Sequence, residues 1–185
     1  MRLYSVQSEQ DWNAAQRRGY LTGGTSRPEL DEHFKRGYDF MRQAMAARLP
    51  AYSGDYPVWA WLKRPDLREW RHLVNTPSVL LTFEVPDERT LASRFNAFHF
   101  VLNGWYLSLT EAEDEAISNG PPLTAAMLAA SWQRIFDLTP PTDPAQLDWC
   151  GAYSDADVQV CIDRVLLPEV QHVRPFLPAA KPTHS

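Results

Sequence analysis

Hydrophobic and polar positions alternate most clearly towards the C-terminal end of the chain, in Val158-Gln159-Val160-Cys161-Ile162-Asp163. Successive strand side chains point to opposite faces. The spacing therefore predicts a strand with Val158, Val160 and Ile162 on a core face and Gln159, Cys161 and Asp163 on the other, which is open to a site. A turn through Leu166-Leu167-Pro168-Glu169 leads to a second short element, Val170-Gln171-His172-Val173.

Upstream, Leu3 to Val6 predicts a short strand. Ser8 is placed to cap a helix from Glu9 to Arg18 that buries Trp12 and Ala15 and stops at Gly19. After the Gly-, Ser- and Thr-rich stretch Leu21 to Pro28, the segment Glu29 to Arg48 carries Phe34, Tyr38, Met41 and Met45 at helical spacing, a core-facing stripe. Tyr56 to Leu62 has strand chemistry, with Trp59 and Trp61 on one face and Val58 and Ala60 on the other, and Lys63 to Arg68 breaks it. Ser78 to Val85 is almost continuously apolar, the pattern of a central strand.

Phe95 to Leu102 and Thr110 to Ile117 read as helices separated by Asn103-Gly104. Leu123 to Leu138 reads as a third, carrying Trp132 and Phe136 and ended by Pro140-Pro141. Strands and helices mix without strict alternation, which predicts an α+β fold and not a doubly wound sheet.

Composition narrows this picture. A chain of 185 residues with 44% hydrophobic content predicts one domain, residues 1–178, followed by a flexible polar tail, residues 179–185. Seven Trp, seven Tyr and eight Phe are more aromatic surface than one core of this size needs, which points to a lined groove. A net charge of -5 argues against a broad nucleic-acid surface. Cys150 and Cys161 make neither a disulfide framework nor a metal site, so a cytoplasmic location is expected. No segment is apolar for long enough to be a signal peptide or a membrane span, so no membrane partner is expected.

The common catalytic patterns are missing. The five His show neither an i,i+4 pair nor the carboxylate spacing of a zinc helix. Gly23-Gly24 lacks the Lys and the helix that would cradle a phosphate, and no Gly-x-Ser-x-Gly elbow occurs. Cys161 sits in an apolar strand that disfavours its thiolate. What remains is Lys63, Arg64, Arg68, Arg71 and His72 in a loop after an aromatic strand. That loop is either a solvated surface or an anion-binding rim, since Arg forks take phosphate bidentately and Trp faces stack on planar rings.

Several of these segments resemble a bacterial family of small domains of unknown function: Leu3-Tyr4-Ser5-Val6-Gln7, Tyr38-Asp39-Phe40-Met41, Tyr56-Pro57-Val58-Trp59-Ala60-Trp61, Arg64-Pro65-Asp66-Leu67-Arg68, Phe98-His99-Phe100-Val101-Leu102-Asn103, Trp105-Tyr106-Leu107-Ser108 and Val158-Gln159. More distantly, the order of elements is similar to the ADP-ribosyltransferase fold, above all to the DNA-modifying ADP-ribosyltransferase toxins of toxin-antitoxin pairs. The shared order is an opening strand with a short helix ending in Gly, a middle aromatic strand with an Arg loop, and a closing strand followed by Pro and a final strand.

The resemblance implies a split, mixed sheet with surrounding helices and NAD as substrate. It implies mono-ADP-ribosyl transfer to a nucleic acid or protein acceptor, and an antitoxin as a possible partner. Carried onto this chain, Arg64 or Arg68 would hold the pyrophosphate, Trp59, Trp61 or Tyr106 would stack on nicotinamide, and Ser5 and Gln7 would contact the cofactor. Gln159 would orient the ribose, with Gln159 and Arg68 as the catalytic pair. The toxins carry Glu where Gln159 stands, and a well-placed charge there is worth about 3 to 4 kcal/mol to a cation-like transition state. An amide can hydrogen-bond a ribose hydroxyl but supplies neither charge nor base. Asp163 lies about 13 Å farther along the strand and Asp157 about 7 Å before it. Two further readings therefore stand beside an active transferase: a weakened NAD- or nucleotide-binding domain, and an interaction domain whose Lys63 to His72 loop and paired Trp face another chain.

Overall fold

A computed structural model describes residues 1–25, 31–68 and 76–178. In chain order the elements are β1 (Arg2–Ser8), α1 (Glu9–Arg18), β2 (Tyr20–Leu21), α2 (Glu32–Arg48), β3 (Val58–Trp61), β4 (Ser78–Glu84), β5 (Thr90–Arg94), α3 (Phe95–Leu102), α4 (Glu111–Ser118), α5 (Ala125–Trp132), α6 (Pro144–Cys150), β6 (Val158–Ile162), β7 (Val165–Leu166) and β8 (Val170–Phe176). The fold is α+β, as the mixed pattern predicts. Six strands form a sheet in the order β5-β6-β3-β1-β4-β8, and β2 pairs with β7 in a separate two-stranded ladder. By its contacts the chain divides into two compact units, residues 1–27, 45–91 and 160–185 in the first and residues 28–44 and 92–159 in the second.

In the first unit β1 runs antiparallel to β4 over its whole length, from Arg2 opposite Glu84 to Ser8 opposite Ser78. On its other edge β4 pairs with β8. Strands on both edges explain why Ser78 to Phe83 are all buried and why the sequence there is apolar without alternation. Helix α1 follows β1 because Ser8 accepts the Asp11 N–H at 2.9 Å and donates to the Asp11 carboxylate at 2.7 Å. Gly19 closes the helix at φ 93, a left-handed conformation that favours a residue without Cβ, and its N–H bonds the Ala15 carbonyl. Trp12 and Ala15 are the buried residues of this helix, as their spacing requires.

In the second unit Phe40 meets Trp132 edge-on at 5.4 Å and stacks on Phe136 at 6.1 Å. Gly37 lets α2 approach α3 closely, since a Cβ there would stand 3.0 Å from the Leu102 backbone. The segment expected as one helix from Leu123 to Leu138 is instead α5 followed by a tighter turn, Gln133–Phe136, which carries the buried Ile135. Helix α6, not anticipated from the sequence, starts at Asp143, which caps it ahead of Pro144.

Two expectations about burial are corrected. Phe34 is 38% exposed, and the buried stripe of α2 runs instead through Gly37, Phe40, Met41, Ala44 and Met45. Because α2 begins at Glu32, Phe34 lies in its first turn, in line with that stripe but at the exposed end of the helix. The closing strand has no open polar face, since every residue of β6 is buried. It is an interior strand with β5 and β3 on its two edges, so alternation of type did not translate into alternation of exposure. The polar tail at 179–185 lies outside the described residues.

Candidate functional site

Gln159, second in β6, is 3% exposed. Its amide Nε2 donates to the Ser93 hydroxyl of β5 at 3.3 Å, and Ser93 is itself fully buried. The carboxylates that flank the strand are also engaged. Asp157 accepts the Asn96 N–H in the first turn of α3 at 2.9 Å. Asp163 accepts the Ser53 N–H at 3.2 Å and the Ser53 hydroxyl at 2.6 Å. Cys161, between them, is fully buried, and burial pushes its thiol well above the ordinary value, which leaves it unreactive.

The residues expected to hold a cofactor in the first unit fall on different surfaces. Ser5 is fully buried and donates to the Trp59 backbone carbonyl at 2.6 Å, and Gln7 donates to Ser5 at 2.7 Å. Opposed residues of an antiparallel pair share a face, and Tyr4 lies opposite Trp61. Trp59 and Trp61 therefore share their half-buried face with Tyr4 and Val6, while Ser5 and Gln7 point to the other face, with Leu3. The structure joins Ser5, Gln7 and Trp59 through the Trp59 backbone, not through its ring.

Lys63, Arg64 and Arg68 are exposed. The Arg68 guanidinium grips Asp66, with Nε at 2.9 Å and Nη2 at 2.6 Å, and that bond raises its pKa. Arg71 and His72 lie outside the described residues.

Tyr106 belongs to a polar cluster in the second unit. Its hydroxyl donates to Glu113 at 2.9 Å, and the Arg134 guanidinium lies 5.5 Å from its ring. Burial, then the bond to Glu113, raises the phenol. Burial alone would raise Glu113 as well, but the Leu109 N–H, Arg134 and Tyr106 together hold its carboxyl below the ordinary value.

Sequence reasoning passed over Arg94, the last residue of β5. It is 5% exposed, and among the described residues no carboxylate pairs with it. Nη2 donates to the Arg134 carbonyl at a long 3.4 Å, Nε has no partner, and the Tyr153 ring covers the guanidinium at 4.1 Å. Arg94 lines a cleft of about 260 Å³ with Phe100, Leu107, Trp149, Cys150 and Tyr153. The only local signal is a Ser-Arg pair directly ahead of an apolar helix, because the residues that bury Arg94 come from far along the chain.

Fold and placement define an α+β domain with a half-buried aromatic strand face and a buried, unpaired arginine in a cleft. The chain belongs to the family described as a domain of unknown function (DUF3841), whose model matches residues 2–148. Gln159, Cys150 and Tyr153 lie beyond that match. No curated protein and no solved structure matches the chain. Among the described residues, no helix is long and apolar enough to cross a membrane.

Proposed function

We propose that this protein is an NAD- or nucleotide-binding domain in which ADP-ribosyl transfer is weak or lost. One observation carries the choice of binding over catalysis: the groups of the closing strand that transfer would draw on are occupied. The Gln159 amide is buried against Ser93, Asp157 caps the first turn of α3, and Asp163 holds Ser53. A cation-like sugar transition state needs a negative charge beside it, and an amide engaged in the core offers none. Binding through the half-buried Trp59 and Trp61 and the exposed Arg64 makes no such demand.

The second reading is an active NAD-dependent mono-ADP-ribosyltransferase, a toxin on nucleic acid or protein restrained by an antitoxin. The order of elements favours it: β1, then α1 closed at Gly19, then β3 with its Trp pair, then β6 with Gln159 at its head, Pro168 and β8. Calorimetry with NAD, beside incubation of labelled NAD with DNA, RNA and protein, separates the two. NAD binding that weakens in Arg64→Ala, with little or no label transferred, is expected. Absence of NAD binding refutes the proposal, and transfer abolished by Gln159→Ala replaces it with the second reading.

A further inference from the structure

We infer that the Arg94 cleft is a binding site for a small organic monocarboxylate, a single-ring or similarly compact acid. This site is separate from the NAD reading and does not rest on it. At about 260 Å³ the cleft falls just below the usual range for small-molecule sites, about 300 to 1,000 Å³, and is too small for a dinucleotide.

A guanidinium stays protonated at any physiological pH, and a charge out of water is costly unless it is paired and hydrogen-bonded. Arg94 is 5% exposed, yet among the described residues it has no carboxylate at ion-pair distance: it has one long bond to a carbonyl, one aromatic face, the Cys150 thiol beside it and an Nε with no partner. A carboxylate is the group that matches a guanidinium fork; the orphan Nε is itself shielded, so a ligand carboxylate meets the guanidinium on the side that lines the cleft.

The surroundings select the kind of anion. Asp157 lines the same cleft, and Asp137 acts electrostatically on Arg94. Both carboxylates repel any anion that approaches Arg94, and the two charges of a phosphate are penalised more than the single charge of a carboxylate. The remaining walls, Phe100, Leu107, Trp149 and Tyr153, are apolar or aromatic and suit a hydrocarbon or ring body. Ser108 donates to Asp114 at 2.9 Å, so its hydroxyl hydrogen already has a partner.

Cys150 supplies a built-in reporter. It is partly exposed in the cleft, where burial raises its thiol and the nearby Arg94 acts in the opposite direction. Cys161 is fully buried, so alkylation of the native protein reads Cys150 alone. Iodoacetate and iodoacetamide alkylate a thiolate in the same way: the sulfur forms a bond to the methylene carbon and iodide leaves with its electron pair. They differ in that only iodoacetate carries a carboxylate. The ratio of their rates at Cys150, read by peptide mass at mildly alkaline pH, is expected to exceed the ratio in an unstructured Cys peptide by about tenfold, the scale of one charge-assisted hydrogen bond.

Benzoate is expected to protect Cys150 saturably, and inorganic phosphate at the same concentration is not. Arg94→Lys, which keeps the charge and loses the fork, is expected to lower the ratio towards the peptide value. Trp149→Ala, at the 42% exposed rim residue, is expected to weaken benzoate protection without loss of fold by circular dichroism. A wild-type ratio equal to that of the peptide overturns the inference, as does absence of benzoate protection. Protection by phosphate equal to that by benzoate overturns the monocarboxylate assignment. The wild-type measurements decide even if Arg94→Lys does not fold.

Discussion

Each unit contains an arginine with an aromatic ring against it and an Nε that makes no hydrogen bond, and the two are solved differently. In the first unit Arg164 lies 4.7 Å from the Tyr20 ring and 3.6 Å from Asp55, whose carboxylate also accepts the Thr22 hydroxyl at 2.8 Å. Its side chain is 40% exposed, so water shares the charge. In the second unit Arg94 has the Tyr153 ring but no carboxylate, and it is almost wholly buried. The first arrangement pairs its charge and ties Asp55 to the residue just before β7. The second is incomplete, and an incomplete buried charge destabilises a fold unless something else supplies the missing partner.

The largest effect that separates them is expected from Asp55→Ala. It strips Arg164 and Thr22 of a shared acceptor that is 6% exposed and should cost about 2 to 3 kcal/mol in urea unfolding. A loss below 0.5 kcal/mol would show that the pair is ornamental, by the usual scale for surface changes of about ±0.5 kcal/mol.

Arg94→Met is the counterpart. Removing an unpaired buried charge while keeping most of the volume should leave stability within about 1 kcal/mol of wild type, or raise it, in the absence of a carboxylate. A loss of about 3 kcal/mol or more would mean that Arg94 is structural, like a paired buried ion, and would break the contrast. Tyr153→Leu should cost about 1 kcal/mol through the lost cation–π contact and through the bond from Gln146 to the Tyr153 hydroxyl.

The smallest effect is one of pH. The Glu113 carboxyl is held below its ordinary value, so its stabilising contribution is complete above the unfolded value near 4.5 and is lost as pH falls through the lower folded value. Glu113→Gln should therefore flatten the acid side of the stability profile and leave its slope near neutrality unchanged. An unchanged acid limb would show that other carboxylates carry it.

Much of the fold was legible because its signals are local. Ser8 and Gly19 bound α1 through groups at most four residues away, and the alternation of Val58 to Trp61 assigns both faces of β3. The almost continuously apolar run of β4 marked a central strand for the same reason. The short β5 was not legible, since Thr-Leu-Ala-Ser-Arg carries little strand chemistry of its own and is held by the sheet. Phe34 was misplaced because helical spacing sets which residues share a stripe but not where the helix begins.

The candidate site was legible in residue type and not in placement. Residue type alone says that Gln159 can hydrogen-bond but supplies neither charge nor base; only the toxin resemblance sets a carboxylate as the expectation there. Whether the amide is available was decided by Ser93, 66 positions away in sequence. Ser5 and Trp59 share a bond across 54 positions, yet their side chains take opposite faces, a matter of strand register.

By itself the sequence determined the α+β class, the ends of the well-capped helices, the aromatic strand and the chemical limits of each side chain, because these depend on a residue and its near neighbours. Tertiary structure alone decided burial and partnership. It closed both faces of β6, gave Arg164 its carboxylate and left Arg94 without one, because whether a charge or amide is satisfied depends on segments that meet only when the chain is folded.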